Sequence, residues 1–491
     1  MDGSVEIKTM KEIQNIIPVT IINDRLGGLY SSARYLAFNL EPWDVPEEVS
    51  EVQSCVEFWS NEAQYYVIGK GETPAEAYEN LCSQQDKLKI IKELSCDEFG
   101  NNPLPFCEVL EMVEDLGGYE NIKLIFEKSE QLSELTFEGA RRTFGESLPE
   151  EIKNRLLYEL DIIKKTGHAE RFLIVSKILN YARKELGVMA EVIHDAVAGS
   201  LVAYCMGITR VDPLKHDLLF ERYMRLGEYD PPYFCIDCDE EGLEALKDWV
   251  DGKYGKSDKL NNIDISSYRT ISIINNVCKI IRESSHSSVD LDLISDNDPD
   301  TFEMLQNGDT AGVPMFDSEQ MQKYLKKLKL TCLDDLVILN AMRSLNEDCK
   351  IQQFIARRNG RQAIKYEIPC MDKYLAESYG ILVYQEEIAL LSRLLADFTR
   401  KQSYSLVEAL KYKKRFELNM YKIQFVANGR QNGHDPTILN QIWRHWEKVG
   451  DKVSIKSQVV SCTIFAYRVA YLKAHYPDEF NAVSLKNLSY F

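Results

Sequence analysis

Apolar stretches long enough to span a bilayer are missing from this chain, and its opening Met-Asp-Gly-Ser-Val-Glu has neither the basic nor the apolar block of a secretory leader. The expectation is a cytoplasmic protein with no membrane partner. Histidine is scarce, with 7 residues widely spread, so no His pair falls at metal-ligand spacing. The 12 cysteines are scattered, without the dense regular spacing of a secreted disulfide scaffold, and reduced thiols are expected. Cys235 and Cys238 form a C-x-x-C with no second pair beside it, and on a strand the two sulfurs point to opposite faces. Basic charge is also short. The chain has 58 Lys and Arg against 77 Asp and Glu, net −19, which argues against indiscriminate nucleic-acid binding.

The deficit is uneven. Residues 1–150 hold 29 acidic against 12 basic side chains, whereas residues 351–430 hold 14 basic against 8 acidic, densest at Lys411-Tyr-Lys-Lys-Arg415. A phosphate backbone would prefer that second segment, and Lys411, Lys413, Lys414 and Arg415 are the candidate DNA-binding residues.

At 491 residues the chain has room for two to four domains. Two β-rich runs between Val52 and Ile68 flank Ser60-Asn61-Glu62 and read as a hairpin. Thr73-Pro74 opens a helix with Thr73 as N-cap. These elements give a small acidic α+β module over 1–100, closed by a linker at Gly100-Asn101-Asn102-Pro103. A helical connector follows over 101–145. Leu148-Pro149 opens a long helix, a second carries Phe172, Leu173, Val175, Ile178 and Leu179 and ends at Gly187, and helix is expected again over 197–206 and around 213–224. From Ile263 the pattern is almost wholly helical, with amphipathic segments at 301–306, 318–328, 333–343, 372–396 and 404–427. The run Ser284-Ser-His-Ser-Ser288 with the acidic stretch Asp290 to Asp300 reads as an interior linker or mobile loop. The fold class expected is α+β.

Residues 231–239 read Pro-Pro-Tyr-Phe-Cys-Ile-Asp-Cys-Asp. With a strand period of two, 235, 237 and 239 share a face, so Asp237 and Asp239 can converge.

Several collinear strings carry a family resemblance. They are Arg155-Leu-Leu-Tyr-Glu-Leu-Asp-Ile-Ile, Gly199-Ser-Leu-Val-Ala-Tyr, Asp212-Pro-Leu-Lys-His-Asp-Leu-Leu-Phe-Glu-Arg222, Thr310-Ala-Gly-Val, Tyr379-Gly-Ile-Leu-Val-Tyr-Gln-Glu386 and Tyr471-Leu-Lys-Ala-His-Tyr-Pro477. In order and spacing, from about residue 146 onward, the chain resembles the bacterial DNA polymerase III alpha subunit, the C-family replicative polymerases. The resemblance implies a reduced, nucleotidyltransferase-like mixed-sheet palm over 146–270 and large all-α fingers over 271–491. It also implies three catalytic aspartates that hold magnesium. Two positions match, Asp237 and Asp264, and these are the candidate metal ligands. Cys235 stands at the remaining catalytic position.

Other departures fall on the same functional surface. The family's glycine-rich triphosphate loop stands here as Glu191-Val-Ile-His-Asp-Ala196, and only Gly199 and Ser200 of its continuation remain. Replacing glycine by Val and Ile blocks close approach of backbone to phosphate, and Glu191 and Asp195 would repel a triphosphate. His194 is a weak substitute for the loop arginine. A Lys-Ser-His motif appears as Lys456-Ser-Gln458, which leaves Lys456 with Gly199 and Ser200 as candidate nucleotide-binding residues. Only 26 residues separate Asp237 from Asp264, too few for the family's thumb. The phosphoesterase-like and C-terminal domains find no counterpart, and no clamp-binding region is recognised.

The expectation is a divergent, pseudoenzyme-like homologue that retains palm and fingers, with nucleotidyl transfer lost or strongly impaired, and that binds primed DNA or a replication protein. Magnesium is expected only if the protein is active. One alternative is an active minimal DNA-directed DNA polymerase using Asp237, Asp239 and Asp264, reached by a two-residue slip of the strand. Another is a non-enzymatic interaction protein acting through the acidic module.

Overall fold

The computed structural model describes residues 19–24, 29–40, 42, 44–49, 55–95, 104–255, 257–285 and 289–488, and side chains of the last helix only to 483. The linker expected at 100–103, and His286 to Ser288, lie outside the described residues. Two units emerge, residues 1–171 with 224–231, and residues 172–223 with 232–491.

In the first unit β1 (Thr20–Asn23), β2 (Tyr35–Phe38) and β3 (Ile68–Gly71) form an antiparallel sheet in that order. The helix α1 (Pro74–Ser83) starts where its sequence predicts. The Thr73 hydroxyl accepts from the Glu76 amide at 3.2 Å, and the Glu76 carboxylate accepts from the Thr73 amide at 3.3 Å. Gly69 lets α1 lie directly on β3, because a Cβ there would collide with the Ala77 carbonyl. The expected hairpin is not formed. Residues 55–65 are helical instead, in successive α, π and 3₁₀ turns, and β3 pairs with β2. Cys55 and Phe58, three residues apart, are both buried, and this helical spacing overrides the β-propensity of the aromatic run.

The chain continues through α2 (Gln85–Leu94), α3 (Phe106–Asp115), α4 (Tyr119–Phe144) and α5 (Glu150–Lys165). Ala77, Leu81, Leu88 and Ile91 share one core with Val109, Met112, Val113 and Ile122. The segment expected as a connector over 101–145 is therefore packed into the same body as the preceding module. The division between the units falls within α6 (Ala169–Tyr181).

The second unit holds the mixed sheet. The short β4 (Ala190–Glu191) lies antiparallel to β5 (Phe234–Cys238), which is parallel to β6 (Ile263–Ser267). A parallel pair needs a crossover, and α8 (Leu243–Tyr254) supplies it; the brief α7 (Leu201–Cys205) precedes β5. The helix expected around 213–224 is broken. The Asp212 carboxylate accepts from the Leu214 amide at 2.9 Å in a turn through Pro213, Asp217 takes a left-handed φ of 48°, and only a 3₁₀ turn at Phe220–Arg222 remains.

After β6 come α9 (Arg269–Ser285), α10 (Pro299–Gln306), α11 (Glu319–Leu328), α12 (Leu333–Leu345), α13 (Asp348–Arg358), α14 (Gln385–Ala396), α15 (Arg400–Lys411), α16 (Arg415–Gln431), α17 (Pro436–Val449), α18 (Lys456–His475) and α19 (Pro477–Leu488). Helices α12 and α18 are buried on nearly every side, which fits their apolar residues spreading around the whole circumference. Ile193, just after β4, shares a core with Ile271 and Ile274 of α9 and Phe465 and Val469 of α18, so residues on either side of 270 pack together within the second unit. Two segments expected as single helices are interrupted, one at Tyr379 and Gly380 and one at Lys413, all with positive φ.

The acidic stretch 290–298 is not a free loop. Asp292 pairs with Arg210 and with Arg468, Asp296 pairs with Lys215, and Asp298 caps α10 and lies 2.8 Å from His475. The Tyr467 hydroxyl donates to the Ser295 carbonyl at 3.0 Å. Asp292, Asp296 and Asp298 each meet a basic side chain brought from another element, which a composition-based linker reading cannot anticipate.

Candidate active site

Strand β5 alternates as its sequence requires. Phe234 faces the core, edge-on to Phe172 with ring centroids 5.4 Å apart, with Ile236 and Cys238 buried on the same side. Cys235 and Asp237 take the other face. In the parallel ladder Cys235 registers with Asp264 and Asp237 with Ser266, so the two aspartates are diagonal neighbours and the thiol lies opposite Asp264.

Both oxygens of Asp237 face a neighbour. His194 Nδ1 lies 3.0 Å from Oδ2, and the Cys235 thiol lies 3.8 Å from Oδ1. Asp237 as a whole residue is 4% exposed. His194 is held edge-on against Tyr268 at 4.7 Å, and its carbonyl accepts from Gln458 Nε2 at 3.3 Å. Thus the loop after β4 and the start of α18 meet through one histidine. Burial and the Asp237 charge push the Cys235 thiol up, away from the thiolate. Asp264 is exposed and accepts from the Tyr233 hydroxyl at 2.7 Å, and that bond raises the tyrosine's pKa.

Asp195, next to His194, is buried and accepts from the amides of Val197 at 3.2 Å and Cys235 at 3.3 Å. Burial pushes its carboxyl up to about 7, with a smaller push from the Asp237 charge. Glu191 is neutralised rather than aimed at a ligand, 2.8 Å from Arg210 and 3.8 Å from Arg468.

The structure sends Asp239 elsewhere. Strand β5 ends at Cys238, and the Asp239 carboxylate accepts from the Met189 amide at 2.9 Å, the Gly242 amide at 2.8 Å and the Asn275 side chain at 3.2 Å. Those donors fix it at the start of α8, so it does not join Asp237 and Asp264. Gly199 and Ser200 serve packing and capping. A Cβ on Gly199 would sit 2.9 Å from the Leu219 carbonyl, and Ser200 Oγ accepts from the Ala203 amide at 3.1 Å to start α7. Lys456 is also committed, with Nζ 2.7 Å from Glu377 and its amide donating to Glu386 at 3.0 Å.

Lys411, Lys413, Lys414 and Arg415 lie on the break between α15 and α16. Lys413 pairs with Asp451 at 2.6 Å, and Lys414 with Glu408 at 3.1 Å and Glu417 at 3.8 Å. Lys411 sits over the Tyr412 ring at 5.2 Å. The run therefore presents less free charge than its composition suggests.

A pair of magnesium ions needs several convergent hard oxygens with lone pairs to spare. Here one carboxylate is closed by an imidazole and a thiol, another by a phenol, and the third is used in a helix start. Among the described residues no group of three or more His, Cys, Asp or Glu side chains is arranged to hold a metal ion. The residues present do not fit the two-metal clamp. The His194–Asp237 pairing and the neutralising of Glu191 by Arg210 and Arg468 escaped sequence reasoning. The one signal was a titratable histidine inside a loop that faces the aspartate strand.

Comparison with known proteins agrees with this architecture. Residues 270–433 match the bacterial DNA polymerase III alpha subunit finger domain, and residues 130–327 match the bacterial DNA polymerase III alpha NTPase domain. Similar proteins include the DNA polymerase III subunit alpha of Borreliella burgdorferi, 27% identical over 73% of this chain and 42% of the relative. Those of Aquifex aeolicus and Bacillus subtilis are each 24% identical, over 72% and 70% of this chain and 44% and 42% of the relatives. The chain spans less than half the length of the relatives it matches.

Proposed function

The chain is a homologue of the bacterial DNA polymerase III alpha subunit, and on that premise we propose that it serves DNA replication in the cytoplasm by binding rather than by synthesis, with nucleotidyl transfer lost or strongly impaired. The observation that carries this reading is the closed state of Asp237, paired with His194 and flanked by Cys235 where the family has a carboxylate. A thiol is a poor bridging ligand for magnesium, and removing one ligand from a metal clamp removes several kcal/mol of transition-state stabilisation. The committed state of Lys456 and the rebuilt Glu191 to Ala196 loop weaken triphosphate binding separately. What remains is a packed palm and fingers able to hold primed DNA or a replication protein.

Primer extension tests the reading. With magnesium or manganese and labelled nucleotides, no incorporation above background is expected from the purified chain. Incorporation that disappears in Asp237→Asn would establish an active minimal polymerase and overturn the proposal. Salt-sensitive binding of primed DNA without extension is the expected positive result.

A further inference from the structure

Helices α10, α11 and α13 end beside one another in the second unit. The Asn359 side chain, just past α13, donates to the Lys327 carbonyl at 3.0 Å, and Gln306 at the end of α10 donates to the Leu330 carbonyl at 2.8 Å. A Cβ on Gly308 would lie 2.7 Å from Lys326 Cε, so Lys326 lies against the turn that follows α10. This corner gathers Lys326, Lys327, Lys329 and Arg361. All four are exposed and make no ion pair among the described residues.

Most charges around them are already matched. Arg358 is bound to Asp335 at 2.8 Å, Lys323 faces Glu319 at 3.8 Å, and Asp309 holds Lys473 at 2.6 Å. Lysines near helix C-termini offset the helix dipoles, but the magnitudes show that this role does not use up the corner's charge. Three C-termini carry about −1.5 charges together, at about −0.5 each. Exposed Glu303, on the last turn of α10, makes no ion pair among the described residues and adds one more negative charge. Four cations exceed that sum.

What the corner lacks selects its partner. Among the described residues, no large apolar side chain between 294 and 411 is exposed. A protein interface needs apolar or aromatic anchors at its centre, and the unstacked bases of a single strand need aromatic platforms. A duplex backbone needs only cations and polar donors. The Lys411 to Arg415 run differs in this respect, with Tyr412 62% and Phe416 80% exposed within or beside it.

Resting on the DNA-binding reading above, we propose that this corner contacts the sugar–phosphate backbone of double-stranded DNA, with Lys326, Lys327, Lys329 and Arg361 as the cations that meet phosphate. The contact is to backbone alone and is independent of base sequence.

Fluorescence anisotropy of the full chain with a labelled duplex, titrated at several salt concentrations, tests this. Lys327→Gln with Lys329→Gln is expected to lower the slope of log affinity against log salt by about 2, and adding Lys326→Gln and Arg361→Gln to lower it by about 4, at about 0.9 per phosphate. Lys448→Gln, whose ammonium group is 3.0 Å from Glu347, is expected to leave the slope unchanged. The substituted side chains are exposed, so unchanged thermal melts serve as the folding control. Binding of a single strand of the same length is expected to keep its slope in every variant. A duplex slope unmoved by all four substitutions, or an equal loss on the single strand, overturns the proposal and leaves the DNA-binding reading standing. No duplex binding by the unaltered chain removes both.

Discussion

His194 and Asp237, 43 residues apart in sequence, meet at 3.0 Å, and through this pair the loop after β4 closes one oxygen of a buried carboxylate on β5. The imidazole is 38% exposed at its side chain and the carboxylate 5%, so the aspartate depends on the histidine far more than the reverse.

Removing the imidazole leaves a buried acceptor without that partner. His194→Ala is expected to destabilise the chain by about 1–3 kcal/mol, the desolvation cost of a buried polar group left unpaired. His194→Gln, which can still donate, is expected to recover about half. Urea denaturation of both variants checks this. Equal losses for Ala and Gln would show that the bond to Asp237 contributes nothing.

Metal binding should be recoverable by substitution. Cys235→Asp combined with His194→Ala places a carboxylate opposite Asp264 in the ladder and frees Asp237. Its melting temperature is expected to rise with added manganese, because a ligand at 100 times its Kd stabilises by about 2.7 kcal/mol. The wild-type melt is expected to stay unchanged. Differential scanning calorimetry with and without the ion compares the two.

The Arg210 to Glu191 contact holds a buried carboxylate on β4 and, through Asp292, the acidic stretch that follows α9. Arg210→Met is expected to destabilise the chain by less than the about 3–5 kcal/mol of a stranded buried charge, since Arg468 remains 3.8 Å from Glu191. Hydrogen exchange should also rise across residues 290–298. Intact protection there would mean that Lys215, Arg468 and His475 suffice to hold the stretch.

Glu387 gives a pH dependence whose sign follows from its setting. Burial pushes its carboxyl up to about 8, against the opposing pull of the Tyr384 and Val383 amides and the Ser378 hydroxyl. Between about pH 4.5 and 8 the folded chain thus holds a proton that the unfolded chain has released. Stability contributed at low pH is lost as pH rises through that window, by up to about 1.4 kcal/mol per pH unit. Glu387→Gln keeps acceptor and donor positions and is expected to flatten the profile. Chemical denaturation of both proteins at pH 5, 6, 7 and 8 measures the slopes, and parallel slopes would assign the dependence to another group.

Primed-DNA binding separates paired from unpaired cations. Neutralising Lys411 and Arg415 is expected to reduce the slope of log affinity against log salt by about 2, at about 0.9 per phosphate contact. Lys413→Gln with Lys414→Gln is expected to change it little, since their ammonium groups already face Asp451, Glu408 and Glu417. Fluorescence anisotropy titrations at several salt concentrations read both slopes.

Local signals carried far in this chain. The Thr73-Pro74 helix start, the alternation of β5 and the long helices after Ile263 were all legible, because each depends on neighbours within a few residues. The collinear strings likewise pointed to palm and fingers. Tertiary structure decided where polar groups find partners. Asp239 has the spacing of a site residue, yet the amides of Met189 and Gly242 draw it into a helix start. The run Asp290 to Asp300 has the composition of a linker, yet Arg210, Lys215, Arg468 and His475 converge on it from distant elements. Helix 404–427 has unbroken periodicity on paper, yet Lys413 turns left-handed and the helix breaks between Lys411 and Arg415. Periodicity encodes which face of an element is apolar. It does not encode which carboxylate a given cation will meet, because that depends on the packing of elements tens to hundreds of residues apart.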